Sequence, residues 1–95
     1  MFLGLYRFSG KADAMLAGYE RMMKQVPPGA IHLHVCVQDA EGLSVYDSCP
    51  SREVFEEFAN SGQFHDMVAT AGLPNPTVTL LGDVHSAWFE GNRLR

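Results

Sequence analysis

Apolar and polar residues recur along this chain with two different periods, and each period predicts a type of secondary structure. Four short segments are rich in aliphatic and aromatic residues, and two longer segments between them place apolar residues three or four positions apart. Strands are predicted at 2–8, 31–38, 43–49 and 77 to about 88, and helical segments at 11–26 and 51–71. The order strand-helix-strand-strand-helix-strand is typical of a ferredoxin-like α+β fold, in which a four-stranded antiparallel sheet carries both helices on one face.

Capping and breaking residues predict where the helices begin and end. Pro27-Pro28-Gly29 ends the first helix, because proline lacks the backbone donor that a helix needs. Ser51 is a good N-cap for the second helical segment, and Asn60-Ser61-Gly62 predicts a kink or a break within that segment. Gly72 is the expected C-terminal cap.

The turn between the second and third strands predicts which residues face each other. Asp39 at its first position and Gly42 at its fourth are typical of a type I turn closed by a glycine bulge. In that register His34 lies opposite Ser48. One face would carry Ile31, Leu33, Val35, Val37, Leu43, Val45, Asp47 and Cys49, and the other His32, His34, Cys36, Gln38, Ser44, Tyr46 and Ser48. Since the two cysteines would lie on opposite faces, no disulfide is expected between them.

Composition limits the kinds of partner and compartment. The chain has a formal charge of −4 and no cluster of lysine or arginine, which argues against a nucleic-acid partner. Residues 1–8 are apolar but too short for a signal peptide or a membrane span, so we expect a cytoplasmic protein without a membrane partner. Two cysteines without CxxC spacing fit a reducing compartment. The length allows one domain, which we place over residues 1–89, with a polar tail over 90–95.

The apolar strands also predict a homodimer. Residues 2–8 do not alternate between apolar and polar positions, so both faces of the sheet are expected to be covered. One layer of helices covers only one face, and a second copy of the chain would cover the other. The expected assembly is a dimer through the sheet face that points away from the helices.

The order of elements and one helix resemble the dimeric α/β-barrel superfamily, which includes the antibiotic-biosynthesis monooxygenases. The residue-level match is the segment from Ser51 to Phe64, in which acidic and apolar residues lead through Ser61 to a phenylalanine that closes over the sheet. In element order the resemblance covers residues 2–89, and it implies a dimeric barrel of two ferredoxin-like subunits. For activity it implies only a range, because the superfamily includes oxygenases, isomerases, decarboxylases and stress proteins.

Departures from the family pattern narrow that range. Many family members carry histidines in this helix where the chain has Phe58 and Gln63. No asparagine occurs in residues 2–8, where haem-degrading members have one. These differences argue against haem degradation and against a standard quinone-forming oxygenase.

His34, Tyr46 and Ser48 are the strongest candidates for a polar site, because the predicted register places them on adjacent strands and one face. A histidine and a tyrosine in this arrangement can share a proton or hold a phenol, carboxylate or carbonyl group. The alternative is structural, with the two side chains bonded to each other or lying at a subunit contact. His85, near the end of the fourth strand, is a further catalytic candidate. In a sheet of order four, one, three, two it would lie about 14 Å from His34, too far for one catalytic pair.

Charged and metal-ligating residues give two further expectations. Asp47 falls on the aliphatic face, where a carboxylate needs a partner, and Arg7 on the adjacent first strand is expected to form a structural ion pair with it. His32, His34 and Cys36 share one predicted face, but parallel side chains about 7 Å apart converge poorly on one ion. No metal site and no cofactor are therefore expected.

A ligand cleft is predicted between the helices and the sheet. Its wall would come from Met22, Phe58, Phe64 and Met67, with Ser48 and the three catalytic candidates supplying polar contacts. We expect the cleft to bind a small apolar or aromatic molecule. An enzyme of this kind would be a cofactor-independent monooxygenase or an isomerase acting on an aromatic or polyketide-like substrate. The alternative is a non-catalytic ligand-binding or stress-response barrel.

Overall fold

The first seven elements of the chain follow the predicted order of strands and helices, with the second helical segment divided in two. The computed structural model describes residues 1–27, 29–30 and 32–95. The elements within these ranges are β1 (Phe2–Ser9), α1 (Ala12–Met23), β2 (His34–Asp39), β3 (Gly42–Cys49), α2 (Arg52–Ala59), α3 (Gly62–Thr70), β4 (Thr77–Asp83), β5 (Trp88–Phe89) and β6 (Asn92–Arg93). Four strands form one antiparallel sheet in the order β2-β3-β1-β4, and β5 pairs with β6 in a separate hairpin. The predicted α+β class and sheet order are confirmed, and they are compatible with a ferredoxin-like fold.

The helices begin and end at capping residues. The side-chain oxygens of Ser51 and Ser61 each accept a hydrogen bond from the backbone N–H three residues further along the chain. Because Ser61 caps the start of a new helix, the predicted kink or break in the second helical segment is a complete break into α2 and α3. Gly72 follows α3 with φ +77°, and the Leu73 N–H donates to the Val68 carbonyl, as in a Schellman motif. In the described part of the chain, no helix has both the length and the apolar character needed to cross a membrane.

The core lies between the helices and one face of the sheet. Buried residues of β1 alternate with half-buried ones, so a single face of the sheet points towards the helices. Phe55 of α2 lies directly over Gly4, which leaves no room for a Cβ there. The ring of Tyr6 stacks between those of Phe55 and Phe64, with centroid distances of 5.2 Å and 4.7 Å. This aromatic stack holds α2 and α3 against β1.

The β2–β3 hairpin is one residue away from the predicted register. Asp39 pairs with Gly42, and His34 pairs with Asp47 rather than with the next residue along β3. The predicted glycine bulge would have left Gly42 outside the pairing. A Cβ at Gly42 would instead collide with the carbonyl oxygen of Phe8, so the close approach of β1 explains why glycine is needed at this position.

This register exchanges the two faces of β2 relative to the prediction. His34 and Cys36 share the helix-covered face with Cys49, so the expectation that the two cysteines lie on opposite faces is wrong; both thiols are free. Val35 and Val37 lie on the other face and are 47 % and 44 % exposed. We call the sheet face that points away from the helices the open face; it includes Leu3, Leu5, Arg7, Val35, Val37, Ser44, Tyr46, Thr77 and Thr79.

Three predicted element boundaries differ from the structure by more than one residue. α1 ends at Met23 instead of 26. Val26 precedes Pro27 and therefore disfavours helical backbone, and the N–H groups of Gln25 and Val26 form turns by donating to carbonyls three residues earlier. β2 begins at His34, while the predicted first residue, Ile31, lies outside the described residues. β4 ends at Asp83 instead of about 88, because its partner β1 begins at Phe2 and offers no further residues to pair with.

The predicted polar tail forms a short hairpin instead. Glu90 and Gly91 connect β5 to β6 with φ values of +50° and +80°, as a type I′ turn requires. The Arg93 guanidinium lies 5.6 Å from the ring centroid of Trp88 across this hairpin. Residues 90–95 are therefore mostly polar because they form the turn of this hairpin and its exposed second strand.

Replacing Gly4 by alanine should lower the free energy of unfolding by about 1–3 kcal/mol, because the added Cβ overlaps the ring of Phe55. Urea denaturation followed by circular dichroism measures this change. Gly62→Ala is the matched control, since nothing lies within 4 Å of a Cβ at that position, and it should stay within about 1 kcal/mol of the wild type. Equal losses for the two substitutions would contradict this account of the core.

Candidate functional site

A cavity of about 400 Å³ lies between the end of α1, the α2–α3 pair and the sheet. Its volume falls in the range of small-molecule binding sites, which is about 300–1,000 Å³. The apolar part of its wall includes Met22, Val45, Val54, Phe58, Phe64 and Met67. Two of these are methionines, whose unbranched side chains adapt readily to the shape of a ligand.

Asp47, His34 and Tyr19 form a hydrogen-bonded chain at the polar end of this cavity. Asp47 Oδ1 lies 3.3 Å from His34 Nδ1, and His34 Nε2 lies 2.6 Å from the Tyr19 hydroxyl oxygen. The side chains of His34 and Asp47 both line the cavity and are only 14 % and 21 % exposed. Tyr19 reaches this position from α1, and its ring stacks on that of His34 at a centroid distance of 5.9 Å.

The chemistry of the three groups assigns the protons between them. An ionised carboxylate only accepts hydrogen bonds, so Asp47 favours the His34 tautomer with the proton on Nδ1. The Tyr19 hydroxyl then donates a hydrogen bond to the lone pair on Nε2. A carboxylate, a histidine and a hydroxyl in this order are the arrangement that orients a general base in hydrolytic triads. In this chain both ring nitrogens of His34 are engaged by protein groups.

The pKa of Tyr19 supports its role as the donor. Burial raises this pKa to about 12, and the nearby Cys36 and Glu20 act in the same direction. Tyr19 therefore keeps its proton at neutral pH, and the hydrogen bond to His34 persists.

Tyr6 brings a second hydroxyl to the cavity wall. Its side chain is 3 % exposed, and its buried hydroxyl oxygen has no hydrogen-bond partner among the described residues. Burial raises the pKa of Tyr6 far above its ordinary value, and the charges of Asp47 and Cys49 add to this effect. The group is therefore a neutral hydroxyl with unused hydrogen-bonding capacity.

Ser48 and the cysteines are poor nucleophiles in this setting. The Ser48 side-chain oxygen accepts the Leu33 N–H at 2.9 Å, and the Ser48 N–H donates to the Leu33 carbonyl at 3.0 Å, so Ser48 ties β3 to the segment before β2. Burial raises the pKa of both Cys36 and Cys49, which keeps them as thiols at neutral pH. The reactive groups of the cavity are thus acid–base groups.

The structure brings most of the predicted site residues together. His34, Met22, Ser48, Phe58, Phe64 and Met67 all line the cavity. Tyr46 does not, because in the observed register it pairs with Val35 and lies on the open face. His85 follows β4 and borders a separate shallow depression with Leu3 and Asp83.

Arg7 and Asp47 do not form the expected ion pair. Arg7 lies on the open face, where its guanidinium contacts Asp39 at 3.0 Å and the Ser44 hydroxyl at 2.9 Å, while Asp47 lies on the helix-covered face and contacts His34. Adjacent strands bring two residues together only when their side chains share a face. The hydrogen bond from Arg7 holds the pKa of Asp39 below its ordinary value, and the Glu41 N–H adds to this.

Sequence reasoning missed the site roles of Tyr6, Tyr19 and Asp47. Tyr19 was visible only as one member of the apolar stripe of α1, and Tyr6 only as one apolar residue of β1. Asp47 was recognised as a carboxylate among aliphatic residues, which is a valid signal for a functional group. Its true partner could be found only with the correct hairpin register.

Metal-ligating residues do not cluster in the described ranges: no group of three or more histidine, cysteine, aspartate and glutamate side chains there could hold an ion. Comparison of the chain with protein-family models, with curated proteins and with solved structures finds no match. The cavity and the chemistry of its side chains are therefore the features of this protein that point to a function.

Substituting Tyr19 by phenylalanine should flatten the pH dependence of stability in alkaline solution. The pKa of Tyr19 rises from 10.0 to about 12 on folding, so its contribution is fully present below pH 10 and is lost as the pH rises towards 12. Urea denaturation at several pH values in this window should show a smaller decline for Tyr19→Phe than for the wild type. Identical profiles for the two proteins would contradict the buried position of the Tyr19 hydroxyl.

Proposed function

We propose that this protein binds a small, mainly apolar and aromatic molecule in the cavity between its helices and its sheet. The observation that carries the proposal is the combination of a cavity of about 400 Å³ with a largely apolar wall and one polar end. Ligand sites of small domains have this composition, since apolar walls supply affinity and a few polar groups set the orientation.

The proposed chemistry is proton transfer without a cofactor. The His34–Asp47 pair lies in the cavity wall, and a pair of this kind can accept a proton from a ligand and return it to the same or another atom. Return to a different carbon is an isomerisation. Alternatively, the deprotonated ligand carbon adds dioxygen and a proton to form a hydroperoxide, which loses water and leaves one oxygen atom on that carbon as a carbonyl. This second reaction is a cofactor-independent monooxygenation. Both reactions agree with the expectation from the resemblance to the dimeric α/β-barrel superfamily, to which we propose this chain belongs.

A non-catalytic binding protein is the competing function, and one observation favours it. Both ring nitrogens of His34 are engaged, by Asp47 and Tyr19, so the histidine is already satisfied without a ligand. Turnover separates the two functions. A catalytic site exchanges a carbon-bound acidic hydrogen of the ligand with deuterated water, observed by NMR, and loses this exchange on Asp47→Asn. A binding protein retains the ligand without exchange at carbon.

We further propose that two copies pair through their open faces to form a dimeric α/β barrel. Val35, Val37 and Leu5 bring apolar side chains to this face, two of them close to half exposed. Arg7 and Asp39 bring opposite charges to this face and form an ion pair at 3.0 Å. A second copy would bury this apolar surface, and its own open face has the same composition.

Filling the cavity should abolish ligand binding. A melting-temperature screen of small aromatic molecules should give hits with the wild type, because a ligand that binds the native state stabilises it. Met67→Trp places a larger side chain in the cavity wall and should lose these shifts. Ala69→Trp, an exposed position on the same helix, is the matched control and should keep them. Hits that persist unchanged in Met67→Trp would place the binding elsewhere.

Sedimentation at micromolar concentration should show a dimer, and Val37→Lys should shift it towards the monomer. The reason is that a lysine on the open face puts a charge into the proposed apolar interface. Val54→Lys is a closely matched control, because Val54 on α2 has the same 44 % exposure but lies on the helical side. A stable wild-type monomer would disprove the dimer without affecting the proposal of a ligand site.

A further inference from the structure

The polar end of the cavity has an acidic character. Asp47 lines it, and none of the described lining residues is a lysine or an arginine. Histidines 32 and 34 are the cationisable residues of the wall, and His34 is already hydrogen-bonded to Asp47. A carboxylate shielded from solvent repels a nearby anion more strongly than one in water, because the effective dielectric constant is lower. The wall therefore opposes a negatively charged ligand group.

Asp47 also retains acceptor capacity. A carboxylate has two oxygens with about four acceptor positions, and the bond between Oδ1 and His34 uses one of them. A ligand that donates a hydrogen bond can use another. The acidic end of the cavity is therefore suited to a donor.

Tyr6 supplies the complementary donor. Its hydroxyl is buried and has no partner among the described residues, and such a group costs stability unless something completes its hydrogen bond. The oxygen has almost no exposure, so a ligand reaches it when a neighbouring side chain moves aside.

The sheet register places these two groups side by side. Tyr6 pairs with Val45, and Asp47 is two residues further along the same strand, so Tyr6 and Asp47 are diagonal neighbours on the helix-covered face. The Cβ atoms of such neighbours lie about 7–8 Å apart or somewhat less. One polar atom of a ligand between the two side chains can contact both.

We infer that the ligand is uncharged at this end and presents a hydroxyl that donates a hydrogen bond to Asp47 and accepts one from Tyr6. Carboxylates, sulfonates and phosphates of the same apolar body are rejected. This inference depends on the proposed binding function, and it adds the chemical class of the ligand.

Three probes with the same two-ring body test the inference: β-naphthol, naphthalene and β-naphthoate. Each is titrated into the purified full-length protein at neutral pH, and binding is measured by calorimetry. The wild type should bind β-naphthol about tenfold or more tightly than naphthalene, and β-naphthoate should bind weakest. Asp47→Asn removes the charge at nearly constant size and should recover much of the lost affinity for β-naphthoate. Asp39→Asn, at the exposed hairpin turn, should leave the order of affinities unchanged.

Tyr6→Phe gives the sharpest test, because it should separate stability from affinity. Removing an unpartnered buried hydroxyl should leave the melting temperature of the free protein unchanged or raised, while the preference for β-naphthol over naphthalene falls about fivefold or more. Tyr46→Phe is the control and should keep the full preference. Equal binding of naphthalene and β-naphthol, or no effect of Tyr6→Phe on their ratio, overturns the inference but leaves the proposed binding function intact. If none of the probes binds, the binding function fails and the inference fails with it.

Discussion

The close approach of the β2–β3 turn to the backbone of β1 is the constraint on which the candidate site depends. Gly42 pairs directly with Asp39, and glycine is needed there because the carbonyl oxygen of Phe8 occupies the space that a Cβ would need. That pairing sets the register of the whole hairpin, and the register turns His34 towards the helices. With a shift of one residue, His34 would face away from α1, and the cavity would lack its histidine.

The aromatic stack on β1 places polar groups where an apolar core alone would not need them. Phe55 lies on Gly4, and the ring of Tyr6 is held between Phe55 and Phe64, so the Tyr6 hydroxyl has little freedom to find a protein partner. A buried hydroxyl left unpaired costs about 1–3 kcal/mol. A small domain has only a modest margin of stability, so such a cost suggests a use for the group. The stack that stabilises the fold thus also positions the hydroxyl that we assign to the ligand.

Asp47 connects the structural and chemical descriptions of the cavity. Through Oδ1 it orients His34, and its charge adds to the effect of burial, which raises the pKa of the neighbouring Tyr6. Tyr19 completes the chain from α1, so the helix that closes the cavity also satisfies the histidine. These groups serve both proposed functions, because orientation of a ligand and proton transfer require the same side chains at the same polar end.

Sequence alone determined the helices and the four strands of the main sheet and their order, while tertiary structure decided which side chains meet. The break at Ser61, the cap at Gly72 and the sheet order are consequences of local signals, namely capping residues, hydrophobic periods and short connections, and they were predicted. The face of His34 was not, because it depends on the register of the β2–β3 hairpin. The observed register differs by one residue from the one that the turn residues predicted, and this difference exchanges the two faces of β2. The contact of Tyr19 with His34 joins elements that local patterns treat separately, so only the packing of α1 on the sheet determines it.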